Sequence, residues 1–155
     1  YENAALSQPG VTRARAFRTY AGPGTVGLTF MMDDTYDDGI PRAGDIAAMQ
    51  TYLESIMPED LNDLIVFAPA ATTIDITIND LAPDTPALRT AINNELKTLF
   101  RGYDFGEMVN RGQIETAIGS TPGEISHVLA APTVDTPVSP YGIAVLGIIT
   151  YGVTE

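Results

Sequence analysis

The chain has 155 residues, 45% hydrophobic and 18% charged, with a formal net charge of −12, one His, no Cys and no Trp. This is the composition of a folded globular protein of one domain or two small, closely packed ones; it excludes disulfides, thiolate metal sites and cysteine nucleophiles. The acidic balance argues against nucleic acid as a partner of the whole surface, and no apolar run reaches the roughly 18 residues that cross a bilayer.

Residues 1–7 read as the end of a helix, and the leading Tyr1 suggests a piece excised from something longer. Pro9-Gly10 breaks the chain. From Val11 to Tyr20, β-branched, aromatic and charged residues alternate as in a strand. Ala21-Gly22-Pro23-Gly24 forms a hairpin turn, and Val26, Leu28 and Phe30 at spacing two give the returning strand. The Gly-rich stretch Gly22–Gly27 lacks the Lys-Ser/Thr ending and the following helix of a phosphate loop.

Residues 33–44 form an acidic loop. Asp45, or the residue just before it, is placed to cap a helix whose apolar face carries Ile46, Met49, Leu53, Ile56 and Met57, with Pro58 ending it. Leu64 to Phe67 is a continuous apolar run, and Ile74, Ile76 and Ile78 alternate with polar residues. Together they predict one long strand bent near Ala68-Pro69. Thr85 then caps a helix starting at Pro86, with Leu88, Ile92, Leu96 and Leu99 on one face. A Gly-rich bend at 102–106, a short helix at 111–118 and strands at 128–129 and 143–151 complete the chain. Val66-Phe67-Ala68-Pro69 and Val128-Leu129-Ala130-Ala131-Pro132 look alike and hint at two related halves. The predicted fold is therefore α+β, with two packed α/β-sandwich-like halves of mostly antiparallel strands and helices on one face. The halves are 1–80 (hairpin, helix, long strand) and 81–155 (helices, closing strands), or the two pack as one domain.

Chemistry-bearing motifs are few. Counted from Asp34, the residues Asp34, Asp38, Gly39 and Asp45 fall at positions 1, 5, 6 and 12 of a calcium loop, but Tyr36 stands at position 3 and Asp replaces the usual Glu at position 12. A solvated turn that caps the next helix fits these residues better. His127 is the single histidine; strand alternation places Glu124 and Ser126 on the face opposite to it, which denies it a nucleophile partner and makes it structural. The tyrosines are dispersed and form no base-stacking platform. No catalytic, cofactor-binding or metal residue is assigned. The alternative enzyme reading is a metal-dependent hydrolase of the cell envelope using the acidic loop Asp33–Asp38, and a carbohydrate- or receptor-binding module is poorly supported without Trp.

Charge is uneven: Arg13, Arg15 and Arg18 supply three of the eight basic residues within the first twenty positions. A basic edge on an acidic body suits docking against a neighbouring subunit.

Several stretches, in this order and spacing, resemble the baseplate J-like family of contractile-tailed phages. They are Pro9-Gly10-Val11-Thr12-Arg13-Ala14, Gly22-Pro23-Gly24-Thr25-Val26-Gly27-Leu28, Ile40-Pro41 and Val66-Phe67-Ala68-Pro69 with the strand through Ile78. Thr85-Pro86-Ala87-Leu88-Arg89, His127-Val128-Leu129 and Leu146-Gly147-Ile148-Ile149-Thr150-Tyr151-Gly152 continue the series. The resemblance spans nearly the whole chain, with the N-terminal portion of a full member missing. It implies a non-enzymatic structural subunit of the baseplate wedge, in a ring around the central hub of a phage tail, assembled in the host bacterial cytoplasm and carried in the virion. Implied partners are other wedge subunits and copies of the same protein, with no nucleic acid, membrane insertion, small-molecule substrate or cofactor. The candidate contact residues are Arg13, Arg15 and Arg18 on the first strand, and Ile143, Val145, Ile149 and Tyr151 on the closing one.

Overall fold

A computed structural model describes residues 1–57 and 63–154, and Pro58 therefore lies outside the described residues. The chain divides into two compact units, Tyr1–Ala70 and Ala71–Glu155. The fold class is α+β, with helices packed on mixed sheets.

In the first unit a short helix α1 (Glu2–Leu6) leads into a hairpin of β1 (Arg13–Arg18) and β2 (Thr25–Met31), followed by helix α2 (Ala43–Ile56) and strand β3 (Asp63–Val66). The hairpin is antiparallel, from Arg13 opposite Met31 to Arg18 opposite Val26. Its turn has Gly22 and Gly24 at φ of 122° and 84°, a region in which side chains with a Cβ are strained. The Thr25 hydroxyl braces the turn by accepting from Ala21 N and donating to Gly22 O. β3 lies parallel to β2 on its other side. The core gathers Leu28 and Phe30 of β2, Met49 and Leu53 of α2, Val66 of β3 and Ala5 of α1. Full burial of an aliphatic or aromatic side chain contributes about 1.5–3 kcal/mol, so this cluster is what holds α2 on the sheet.

α2 starts earlier than expected. Arg42 is the N-cap, and Asp45, at the third helical position, reaches back to accept from Arg42 N at 2.8 Å. Asp45 thus serves the helix start as the reciprocal partner of the cap residue and not as the cap. Of its predicted apolar face, Met49 and Leu53 are buried while Ile56 is 52% exposed.

The second unit holds β4 (Ala70–Ala82), α3 (Pro86–Arg101), α4 (Arg111–Gly119), β5 (Ser126–Ala131) and β6 (Gly142–Gly152), with β4 central in the order β5-β4-β6. The expected single bent strand is instead two strands in two sheets: β3 pairs with β2, and β4 pairs with β5 and β6. Residues 67–69 separate them, because a Pro-terminated run cannot continue a ladder. The strand through Ile78, expected in the first half, therefore belongs to the second sheet. The two similar Pro-terminated strands also pair differently, β3 parallel to β2 and β5 antiparallel to β4. On the far side of β4, Asp75 meets Ile148 and Asp80 meets Thr154, so β4 and β6 advance in the same direction.

α3 follows its sequence signals closely. Thr85 Oγ1 accepts from Leu88 N at 3.2 Å, and Leu88, Ile92, Leu96 and Phe100 are buried. They pack with Ile74, Ile76 and Ile78 of β4 and with Ile114 and Ile118 of α4.

Candidate functional site

β1 displays the three candidate arginines, but strand alternation divides them. Arg13, Arg15 and Phe17 share one face, and Arg18 sits on the other with Ala14 and Ala16. Arg13 is committed to the fold: its guanidinium grips the Asp33 carboxylate through two bonds of 3.0 and 2.8 Å, and Thr12 donates to the same carboxylate. The side chains of this pair are only 19% and 9% exposed. Arg15 lies 5.8 Å from the Phe17 ring centre, next to a cluster in which Tyr20 and Phe67 stack at 4.4 Å. Arg18 is exposed and lines a cleft with Glu2, Thr19 and Thr25. The three arginines thus form no single patch.

The acidic loop is equally committed. Asp38 accepts from Ile40 N at 3.0 Å and from Arg42 at 3.2 Å. Asp45 takes the Tyr36 hydroxyl at 2.7 Å, which raises the Tyr36 pKa, and Arg42 stacks 4.5 Å over the Tyr36 ring. Gly39, at φ 71°, lets Met32 N reach Gly39 O and close the loop. Asp33 is thus held by Arg13, while Asp38 and Asp45 are held by different groups of Arg42 and by Ile40 N and the Tyr36 hydroxyl. Among the described residues no three or more His, Cys, Asp or Glu side chains converge as a metal site would require.

His127 departs from expectation. Its Nδ1 lies 2.8 Å from Glu124 Oε1, with the two side chains 13% and 6% exposed. Strand alternation does not apply to Glu124, because β5 begins at Ser126 and the chain before it is a turn. Ser126 is exposed and is no part of this pair.

On β6, Ile143 and Val145 are 0% and 8% exposed and offer no contact surface. Ile149 packs against the helical core. Tyr151 is held there too: its hydroxyl bonds Asn93 at 2.8 Å, Arg89 lies 4.5 Å over its ring, and burial raises its pKa. The exposed position is one the candidate set left out, Ile148, at 73%. Ala144 and Leu146 face the core, as do Ile149 and Tyr151, so the alternation slips by one residue between them. The slip falls at Gly147, where a Cβ would collide with the Asp75 carboxylate, and Ile148 N donates to that carboxylate at 2.9 Å. A glycine interrupting a strand pattern is the signal that could have found it.

One further group stands out by environment. Burial, helped by the charge of Glu107, pushes the Tyr103 phenol up to about 12. It remains protonated and donates to Gln113 Oε1 at 2.8 Å. Its bond ties the bend at 102–106 to α4, a structural task.

Both units match known protein families. Residues 1–69 match the Baseplate J-like central domain, and residues 74–152 match the Baseplate J-like protein C-terminal domain. The chain is 34% identical, over 95% of its length, to the Mu-like prophage FluMu protein gp47 of Haemophilus influenzae. It is 37% identical over 92% of its length to the protein JayE of Escherichia coli, and 32% identical over 80% to the baseplate protein gp47 of Escherichia phage Mu. The chain spans 43%, 54% and 34% of these relatives, about half their length or less.

Proposed function

The chain belongs to the baseplate J-like family, and from that membership we propose that it is a structural, non-catalytic subunit of a phage tail baseplate. It works as part of a wedge, contacting neighbouring subunits and copies of itself in the ring around the central hub. It is assembled in the bacterial cytoplasm and carried in the virion tail. The observation that carries this reading is the match of both family domains, one after the other, along 1–69 and 74–152. The geometry is in keeping with it at three of the candidate carboxylates, which hold the fold: Asp33 with Arg13, Asp45 with the start of α2, and Glu124 with His127.

Arg13 is held by Asp33, and the contact proposed for β1 is probed at Arg15, beside Phe17 on one face, and at Arg18 on the other. Charged groups at the rim of an interface act through complementarity with the partner. The test is co-purification of the full-length protein with the baseplate proteins encoded beside its gene, for the native chain and for Arg15→Glu and Arg18→Glu separately. Retention of a neighbour that one reversal abolishes is the expected result and locates the face used. If the full-length protein retains no neighbour, the assembly reading fails.

A further inference from the structure

Two helices lying side by side on a sheet leave a groove on their outer side, and the side chains along its rims decide what can enter it. Between α3 and α4 this groove has a volume of about 410 Å3. Its floor is apolar, formed by Leu99 and Ala117, both packed against the core. Its rims are low, with Thr98 on α3 and, one turn apart on α4, Gly112 and Thr116. A Cβ added at Gly112 would meet nothing within 4 Å. Both threonines turn their hydroxyls onto their own helix, Thr98 to Asn94 O at 3.0 Å and Thr116 to Gly112 O at 2.8 Å. Another backbone can therefore come close here without stranding either hydroxyl.

Two polar groups interrupt the apolar lining. Gln113 is fixed in place, because its Oε1 accepts from the hydroxyl of the buried Tyr103 at 2.8 Å. Its Nε2 is left as a donor on the α4 side of the groove. On the α3 side stands Glu95, exposed and, among the described residues, with no side-chain hydrogen bond or ion pair. The cations of the two helices are turned elsewhere. Lys97 lies about 200° and Arg101 about 120° round α3 from Glu95. Arg111 of α4 pairs with Glu115 at 3.2 Å.

We propose that this groove docks a helix of a neighbouring wedge subunit, which sets an aliphatic side chain against Leu99 and Ala117 and a Lys or Arg against Glu95. The occupant is a helix because a third helix settles between two others as ridges settle into a groove, and small rim residues bring the axes close. Its cation follows from charge: an unpaired carboxylate on a chain of net charge −12 favours a basic face and rejects an acidic one. A second copy fails that condition, since it brings the same net charge of −12 to the same carboxylate. The inference gives a surface and a partner chemistry to the wedge contact, and it rests on the baseplate reading.

The test is titration of the full-length protein with each purified baseplate protein encoded beside its gene, for the native chain and three variants, with thermal unfolding as a check on the fold. Gly112→Leu fills the groove with a side chain that a helix tolerates better than glycine, so the unfolding temperature should not fall. It is expected to weaken the binding of one neighbour about tenfold or more, and so is Glu95→Lys. Replacing the Lys or Arg of that neighbour's helix by Glu is expected to restore binding to Glu95→Lys. Lys97→Glu, on the opposite side of α3, is expected to leave binding unchanged. Native-strength binding by either Gly112→Leu or Glu95→Lys, or an equal loss with Lys97→Glu, overturns the proposal and leaves the baseplate reading standing. Loss of self-association alone, followed by sedimentation, also overturns it, because the occupant is then a second copy. A full-length protein that binds no neighbour removes the baseplate reading and this inference together.

Discussion

Asp33 shows how one side chain can settle the use of a whole segment. It stands just past β2, accepts two bonds from Arg13 and one from Thr12, and so ties the start of β1 to the end of β2. In an exposed setting such a pair contributes little, but the Asp33 side chain is 9% exposed and the charges are mostly out of water. Removing Asp33 then takes from the guanidinium the counter-charge that grips it and from the Thr12 hydroxyl one of its two acceptors, the other being Met31 O. Asp33→Ala is expected to lower the unfolding free energy by about 2 kcal/mol or more in urea denaturation. In the double variant with Arg13→Met, part of that loss should be absent, because the stranded charge is gone. Strictly additive losses would mean that the two side chains act independently and that Arg13 is available to a partner after all. Of the calcium-loop pattern at 34–45, Asp38 is turned to Ile40 N and the Arg42 guanidinium, and Asp45 to Arg42 N and the Tyr36 hydroxyl. Spacing along a chain shows which carboxylates are near one another in sequence, while the loop amide of Ile40, Arg42 and the start of α2 decide where Asp38 and Asp45 point.

Elements with local causes were legible in the sequence, and elements with remote causes were not. The hairpin announced itself through Gly22-Pro23-Gly24 and spacing-two alternation, and α3 through Thr85-Pro86 and its apolar face; both devices act within a few residues. β3 and β4 could not be separated, because whether a Pro bends one strand or parts two depends on pairing partners far along the chain. The division of Arg18 from Arg13 and Arg15, in contrast, lay within reach, since alternation alone puts them on opposite faces. Least visible was Gln50, whose role exists only once β3 lies beside α2. Gln50→Ala uncovers Leu64 O and Val66 N together. It should cost about 1–2 kcal/mol in chemical denaturation and raise light scattering at high concentration, as the β3 edge becomes available for pairing. Gln50→Glu retains an acceptor for Val66 N but turns a carboxylate toward Leu64 O, so it should be restored in part by acid, which returns a donor. Stability unchanged by both substitutions would mean that the edge is guarded by something other than this side chain.

At the scale of the whole molecule, each unit has a core built from its own strands and helices. The first relies on a small cluster around Leu28, Phe30, Met49 and Leu53. The second buries Ile74, Ile76, Ile78, Leu88, Ile92, Leu96, Phe100, Ile114 and Ile118 about a continuous sheet. A domain below about 80 residues has little core to set against the entropy of folding, so the size of that cluster decides whether a unit is independent. Apart from the first residue of β4, Ala70, the three strands of the second sheet and both helices that cover it lie in the unit Ala71–Glu155. Residues 71–154, expressed alone, are therefore expected to unfold in one cooperative transition and to retain the circular dichroism of α3 and α4. Residues 1–70 alone should be markedly less stable, since their cluster has fewer large side chains. Were 71–154 to lack a cooperative transition, the covered sheet would not be sufficient to fold this unit.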